Sequence, residues 1–404
     1  MASKKILILS CNIGQGHMSA AKAIEQGLKA LYGNEFEIEI IDFFHTLSET
    51  INKASYKLYQ SSAKHAPALW ELFFKGTNRK WEVKMVNMIN YSLHSKRIIK
   101  LFQEKKPDLI ISTYPVWDYL ALKIWKELDH KTKFISVVTD SISIHKVWVT
   151  AEVDYHIVPN EDTAHSLRKL GAPLDKIKIL GFPVRLNFLK KMDRKAFLKK
   201  LKLDPKKTTI LFLPLAENIR KSKKILKELT ENPKLNVIVV TGKNDEVKAK
   251  LASFKKMANV RIFGWTENLP ELIKASNIVI TKAGGATVME CLAAKKPMII
   301  TQIIPGQERG NAELLKRYHV GLIAPTKKLS ITAAINQLQK NKKSIQENLK
   351  KISNPKAALN IAQFIKENLS GPKKNPQNPQ NIKSCFTFCS LEGSDWRFIA
   401  WCPN

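Results

Sequence analysis

Two glycines, a carboxylate and a second polar cluster stand in order within Thr281 to Asn311, TKAGGATVMECLAAKKPMIITQIIPGQERGN, and this set suits a ligand with an anionic part and a polyol part. Ile278 to Ile280 reads as a strand end, Ala283 to Thr287 as a small-residue turn, and Val288 to Ala294 has helical spacing. Backbone amides at a helix start are unpaired and partly positive, and a glycine lets a phosphate approach without a Cβ in the way. Gly284, Gly285, Ala286 and Thr287 therefore suit a diphosphate. Glu290, about one helical turn further, suits a vicinal diol such as a ribose. Gln307, Glu308 and Asn311 follow Pro305-Gly306 in a second polar turn and offer carbonyl, carboxylate and amide groups to sugar hydroxyls. The competing reading is an ordinary βαβ unit with a tight turn. A second place for chemistry is NIGQGH, where His17 directly follows Gly14-x-Gly16 after a first strand. Asp140 ends another expected strand, with His145 and Trp148 just beyond it, and His17 and Asp140 are expected to meet across a cleft.

The bulk of the chain limits what can position these residues. A length of 404 residues suffices for two domains, each with its own core. No apolar run approaches a bilayer-crossing length, and the N-terminal apolar run ends at Leu9 in a glycine turn, as a first strand does and a signal peptide does not. The five cysteines read as reduced thiols in a cytoplasm. Lys and Arg number 67 against 35 acidic residues, a net charge of +32, which points to an anionic partner: nucleic acid, a membrane surface or a phosphorylated substrate. Nucleic acid is disfavoured, because no zinc-finger, RRM or helix-turn-helix pattern accompanies the charge. Residues 53–106 hold 12 Lys or Arg against 3 Asp or Glu, interleaved with Trp70, Phe73, Phe74 and Trp81. That mixture suits an anionic bilayer surface and equally a helical pair with an aromatic core and solvated lysines.

The order of elements is α/β. Strand, glycine turn, helix and strand run from Lys5 to Asp42, and strands are expected at 108–112, 134–138, 155–158 and from Ile177 into Gly181-Phe182-Pro183. A second series has strands at 210–213, 237–241, 260–263, 278–281 and 298–301, and a helical segment over Lys350 to Leu369 closes it. The expected domains are 1–185 and 186–369, followed by a Pro/Asn/Gln-rich tail over 370–404 that is expected to be disordered. Gly14-x-Gly16 is a partial dinucleotide fingerprint with Ser19 where the third glycine would stand, so an NAD-dependent dehydrogenase is a weak alternative.

Several ordered motifs over residues 4–369 resemble the monogalactosyldiacylglycerol synthase and processive diacylglycerol glucosyltransferase family. They are NIGQGHMSAAKAI, the block VVTDSISIHKVW through GFPVR, FGWTENLPELIKASNIVITKAGGATVMECLAAKKPMII, and PGQERGNAELL. The resemblance implies a GT-B fold of two Rossmann-like domains facing across a cleft, of the family 28 glycosyltransferase type. It implies that Phe263, Gly264 and Trp265 lie near uracil, Gly284 to Thr287 near the diphosphate, Glu290 on the ribose, and Gln307, Glu308 and Asn311 around the sugar and its phosphates. Gly14, Gly16 and His17, with His145 and Trp148, would lie toward the lipid acceptor or membrane. His17, assisted by Asp140, would act as general base in an inverting transfer. UDP-glucose or UDP-galactose would be the donor, diacylglycerol the acceptor and an anionic inner membrane face the location, with no metal and no cofactor beyond the donor. One departure stands out: the family has a glycine-rich loop after the first strand of its second domain, and here Leu213 to Asn218 reads LPLAEN, without glycine. Arg220 and Lys221 follow as possible substitutes. Alternatives are a UDP-sugar transferase with a polyprenyl-linked acceptor, or a catalytically weakened lipid- or nucleotide-binding homologue.

Overall fold

The computed structural model describes residues 3–12, 15–43, 45, 80–129, 132–215, 218–304, 306, 308–324 and 330–369. Two parallel sheets of six strands each organise it. The first comprises β1 (Lys4–Ser10), β2 (Phe36–Asp42), β3 (Leu109–Ser112), β4 (Lys133–Val137), β5 (Tyr155–Val158) and β6 (Ile177–Ile179), in the order β2-β1-β3-β4-β5-β6. The second comprises β7 (Thr208–Phe212), β8 (Leu235–Val240), β9 (Val260–Phe263), β10 (Ile278–Lys282), β11 (Met298–Gln302) and β12 (Gly321–Ile323), in the order β12-β11-β10-β7-β8-β9. Central strands such as LIIS and IVITK are nearly continuous apolar runs, as parallel strands covered on both faces must be.

The helices that matter for the site are α1 (Gln15–Tyr32), α2 (Lys80–Lys105), α3 (Asp118–Glu127), α4 (Glu161–Lys169), α5 (Ile219–Thr230), α6 (Gly285–Ala293), α7 (Glu308–Arg317) and α8 (Ala357–Leu369). On one face of the first sheet, Ile98 and Phe102 of α2 and Ile124 and Trp125 of α3 pack with Phe43. On the other face, Ala21, Ile24 and Leu28 of α1 pack with Ile361, Ala362 and Ile365 of α8. A Cβ on Gly27 would lie 2.4 Å from the Ala358 carbonyl, so the two helices approach at a distance only glycine permits. The segment expected to close the second domain thus ends on the first. It is also two helices, Lys342–Ile352 and α8, split at Asn354-Pro355, because proline lacks the amide to continue a helix.

Two helices begin earlier than their glycines suggest. α1 starts at Gln15, two residues before His17, and α6 starts at Gly285. Amides of a first turn have no intrahelical partner, so glycine costs little there, whereas a sequence reading treats it as a breaker. The three-residue β12 was not anticipated. Gly14, Gln307, Trp70, Phe73, Phe74 and the Trp81 side chain lie outside the described residues, as do Ala216, Glu217 and the tail. Among the described residues no helix is long and apolar enough to cross a membrane.

Candidate active site

In each sheet the strand order reverses direction once, and the carboxyl ends of the two strands at that point open a crevice. In the first sheet the strands are β1 and β3. The chain leaving β1 turns into α1, and His17 in its first turn reaches across to the chain leaving β3. His17 Nδ1 lies 2.8 Å from the Thr113 carbonyl and 2.8 Å from Thr139 Oγ1. Since a carbonyl only accepts, Nδ1 carries the proton and the neutral ring keeps its lone pair on Nε2. Tyr114 packs edge-on against the imidazole at 4.8 Å between ring centres. Thr113 Oγ1 donates to Ser10 Oγ at 2.9 Å, tying the two strand ends together beneath the ring.

Asp140 accepts a 2.7 Å hydrogen bond from Trp148 Nε1, and no hydrogen bond joins it to His17. Its influence is through its field. Burial pulls the His17 pKa below the ordinary histidine value, while the Asp140 charge and the Thr113 carbonyl act in the opposite direction. Burial raises Asp140 in turn, and His17 opposes that rise. Trp148 is 1% exposed, so it holds Asp140 from within the core and does not face lipid or acceptor. His145 accepts from the Val147 amide at 3.2 Å and caps the turn that carries Trp148. Trp148 thus supports Asp140: a Trp in a polar loop reads from sequence as a surface ring, and only the packing shows it turned inward.

In the second sheet the reversal lies between β7 and β10. β10 runs into Gly284, and no side chain caps the start of α6, so its first amides face the crevice. The two domains meet here. A Cβ on Gly16 would lie 3.9 Å from the Ala286 Cβ, and one on Gly285 would lie 3.3 Å from the Thr139 carbonyl. Thr139 therefore touches the imidazole with its hydroxyl and the glycine turn with its backbone.

Glu290, 4% exposed, accepts from Arg185 Nε at 3.1 Å and Nη2 at 2.8 Å, both on Oε1. Burial raises its pKa and the Arg185 guanidinium opposes the rise. Glu308 is committed to the scaffold: Oε2 accepts from the Ile304 amide at 2.8 Å and Oε1 pairs with Lys282 Nζ at 3.0 Å. Asn311 Nδ2 donates to the Ala283 carbonyl at 2.9 Å, fixing the glycine turn to α7, and its buried Oδ1 has no partner. Glu308 thus already holds the Ile304 amide and the Lys282 ammonium beside the place expected for sugar hydroxyls. Buried loop amides have to be satisfied, and spacing alone does not say which carboxylate satisfies them. Phe263, Gly264 and Trp265 stand together at the end of β9, with Trp265 57% exposed and Lys243 Nζ 5.9 Å from its ring centre.

Three positions carry weight that the motifs did not assign. Arg185, directly after Gly181-Phe182-Pro183-Val184, brings its charge from the interdomain segment to Glu290. Thr139 bridges the two crevices. Gly310 on α7 sits where a Cβ would fall 1.6 Å from the Ser141 carbonyl, so the loop after Asp140 lies directly on the donor-side helix. Ile142 in that loop has φ of 58°, a left-handed conformation costly for a β-branched residue and held by the surrounding contacts. At the far end of α7, Arg317 pairs with Asp162 of α4, and Tyr318 Oη donates to the same carboxylate at 2.8 Å.

Comparison with known proteins follows this division. Residues 17–184 match the family Monogalactosyldiacylglycerol (MGDG) synthase, and residues 209–367 match the Glycosyltransferase family 28 C-terminal domain. A Bacillus cereus protein named processive diacylglycerol beta-glucosyltransferase is 29% identical over 389 residues, covering 95% of this chain and 99% of that protein. Among solved structures, Anabaena HepE in complex with UDP and glucose superposes with a TM-score of 0.54 at 15% identity, over 91% of this chain and 99% of that one. Acinetobacter baumannii MurG superposes with a TM-score of 0.56 at 12% identity, over 90% and 99%. These structures share the two-domain GT-B architecture.

Proposed function

Because the chain belongs to the glycosyltransferases that join a monogalactosyldiacylglycerol synthase domain to a family 28 C-terminal domain, we propose that it moves a hexose from a UDP-sugar to diacylglycerol, making a β-glycolipid at the cytoplasmic membrane face. The observation that carries this reading is the apposition of His17 and the glycine turn: a base with its lone pair on Nε2 stands beside a helix start suited to a leaving diphosphate. The acceptor hydroxyl oxygen bonds to C1 of the sugar while the bond from C1 to the β-phosphate oxygen breaks. The hydroxyl proton passes to His17 Nε2, and UDP leaves with the electron pair. Attack opposite the leaving group inverts an α-linked donor. The amides of α6 stabilise the charge that develops on the diphosphate. Asp140 stabilises the imidazolium through its field. Trp265 and Phe263 suit the uracil, Glu290 the ribose once Arg185 is displaced or shared, and Asn311 Oδ1, with Gln307, the sugar side.

The named Bacillus relative supports diacylglycerol over a polyprenyl-linked acceptor, and the intact His17 environment supports an active enzyme over a weakened binding homologue. Incubation of the full chain with radiolabelled UDP-glucose or UDP-galactose and diacylglycerol vesicles is expected to yield a glycolipid whose anomeric proton reports a β-linkage. Product only with a polyprenyl acceptor, or UDP binding with no product, would overturn this assignment. The basic-aromatic segment 53–106 leads to vesicle binding that rises with anionic lipid content and weakens with salt. Salt-independent partition would sink that part.

A further inference from the structure

The loop after β7 leaves the reversal of the second sheet opposite the glycine turn, where a backbone anion cradle would be expected, and its described residues have other partners. Leu215 is buried, its amide already donates to Ser222 Oγ at 2.9 Å, and its carbonyl accepts from the same hydroxyl at 3.2 Å. The start of α5 is capped as well, with the Lys221 amide donating to Asn218 Oδ1 at 3.0 Å. The Leu215 and Lys221 amides are therefore already engaged. The Lys221 side chain takes another course. Its ammonium lies 2.6 Å from the Thr301 carbonyl of β11, across the end of β10, and the neighbouring residue Gln302 accepts the Ala283 amide that anchors the glycine turn at 2.9 Å. Lys282, the other lysine at this edge, is balanced by Glu308, whereas no carboxylate pairs with Lys221 among the described residues.

We propose that Lys221 is the cation that meets the diphosphate of the donor, replacing by side-chain charge the backbone contacts that a glycine loop would supply; this rests on the UDP-sugar reading of the same crevice. One N–H of the ammonium holds the Thr301 carbonyl and two remain for phosphate oxygens. Burial lowers the Lys221 pKa, and an anion alongside would oppose that shift. A lysine acts as a point charge and does not require the close backbone approach that glycine allows.

The test is calorimetric binding of uridine, UDP and inorganic pyrophosphate to the full chain and to Lys221→Met and Lys221→Arg. The expected result is that Lys221→Met weakens UDP and pyrophosphate by at least about tenfold, leaves uridine unchanged and flattens the salt dependence of UDP binding, while Lys221→Arg retains most of the affinity. Thermal melting of each variant within a few degrees of the parent excludes a folding defect. Equal loss for uridine and UDP, or UDP binding unaffected by the substitution, overturns the assignment. A parent protein that binds pyrophosphate through Lys221 and shows no preference for UDP keeps the anion site and removes the UDP-sugar reading. A parent that binds none of the three removes both.

Discussion

The two sheets share parallel construction and each reverses direction once, yet their crevices hold different chemistry. In the first, the groups that converge are titratable or hydroxylic side chains: His17, Thr113, Thr139 and Asp140. In the second they are the amides of α6 and the ammonium groups of Lys282 and Lys221, with the carboxylates Glu290 and Glu308 already paired to Arg185 and Lys282. A proton is moved by a side chain whose pKa can be set by burial and neighbours, and an arriving anion is met by fixed dipoles and cations that need not titrate. The same fold can thus serve as a base on one side and an anion receiver on the other.

That contrast can be broken experimentally. The largest effect is expected from His17→Ala, which removes the proposed base and should lower kcat by about 10²–10⁴ while UDP binding stays within twofold. A comparable loss of UDP affinity would show that the two crevices are not chemically separate. Arg185→Met leaves the buried Glu290 charge unpaired and should cost on the order of 3 kcal/mol in stability by denaturant unfolding. Because burial has already raised the Glu290 pKa, the deficit is smallest at low pH, where the carboxyl is protonated, and grows as pH rises through that pKa. Adding Glu290→Gln should restore most of the loss, and a deficit independent of pH would argue that the arginine acts elsewhere. Gly310→Ala forces a methyl group into the Ser141 carbonyl and is expected to lower kcat/KM about tenfold, with a larger radius of gyration by small-angle scattering. Unchanged activity would mean that the loop carrying Asp140 does not depend on α7. The smallest effect concerns pH. kcat/KM should rise with pH along a limb centred below the ordinary histidine pKa of 6.5, and Asp140→Asn should move that limb lower still, because the charge that raises His17 is gone. A limb that moves upward would exclude Asp140 as the neighbouring charge.

The sheets were legible because buried parallel strands must be continuous apolar runs, and the crevices were legible because the glycine turns follow such runs. His17 and the glycine turn could be picked out for that reason. What could not be read was long-range partnership. Trp148 is a surface ring or a core support depending on where Asp140 lies, and Glu308 is a sugar ligand or a scaffold depending on whether the Ile304 amide needs an acceptor. Arg185 and Glu290 are 105 positions apart, and nothing local to either announces the pair. The docking of α8 on α1 depends on Gly27, a glycine inside a helix whose absent side chain has meaning only once its neighbour is known.

That last helix also ties the two halves together a second time. The chain crosses between them twice, outward through Phe182 to Leu189 and back through Ser353 to Ala357, and the crossings touch: Asn354 Nδ2 donates to the Leu180 carbonyl at 3.0 Å, and Gly181, with φ of 99°, faces Asn354 and Ala357 without room for a Cβ. A single covalent strand would let one domain twist and swing about the other in any direction. Two segments fastened side by side constrain twist between the domains more tightly than one segment could.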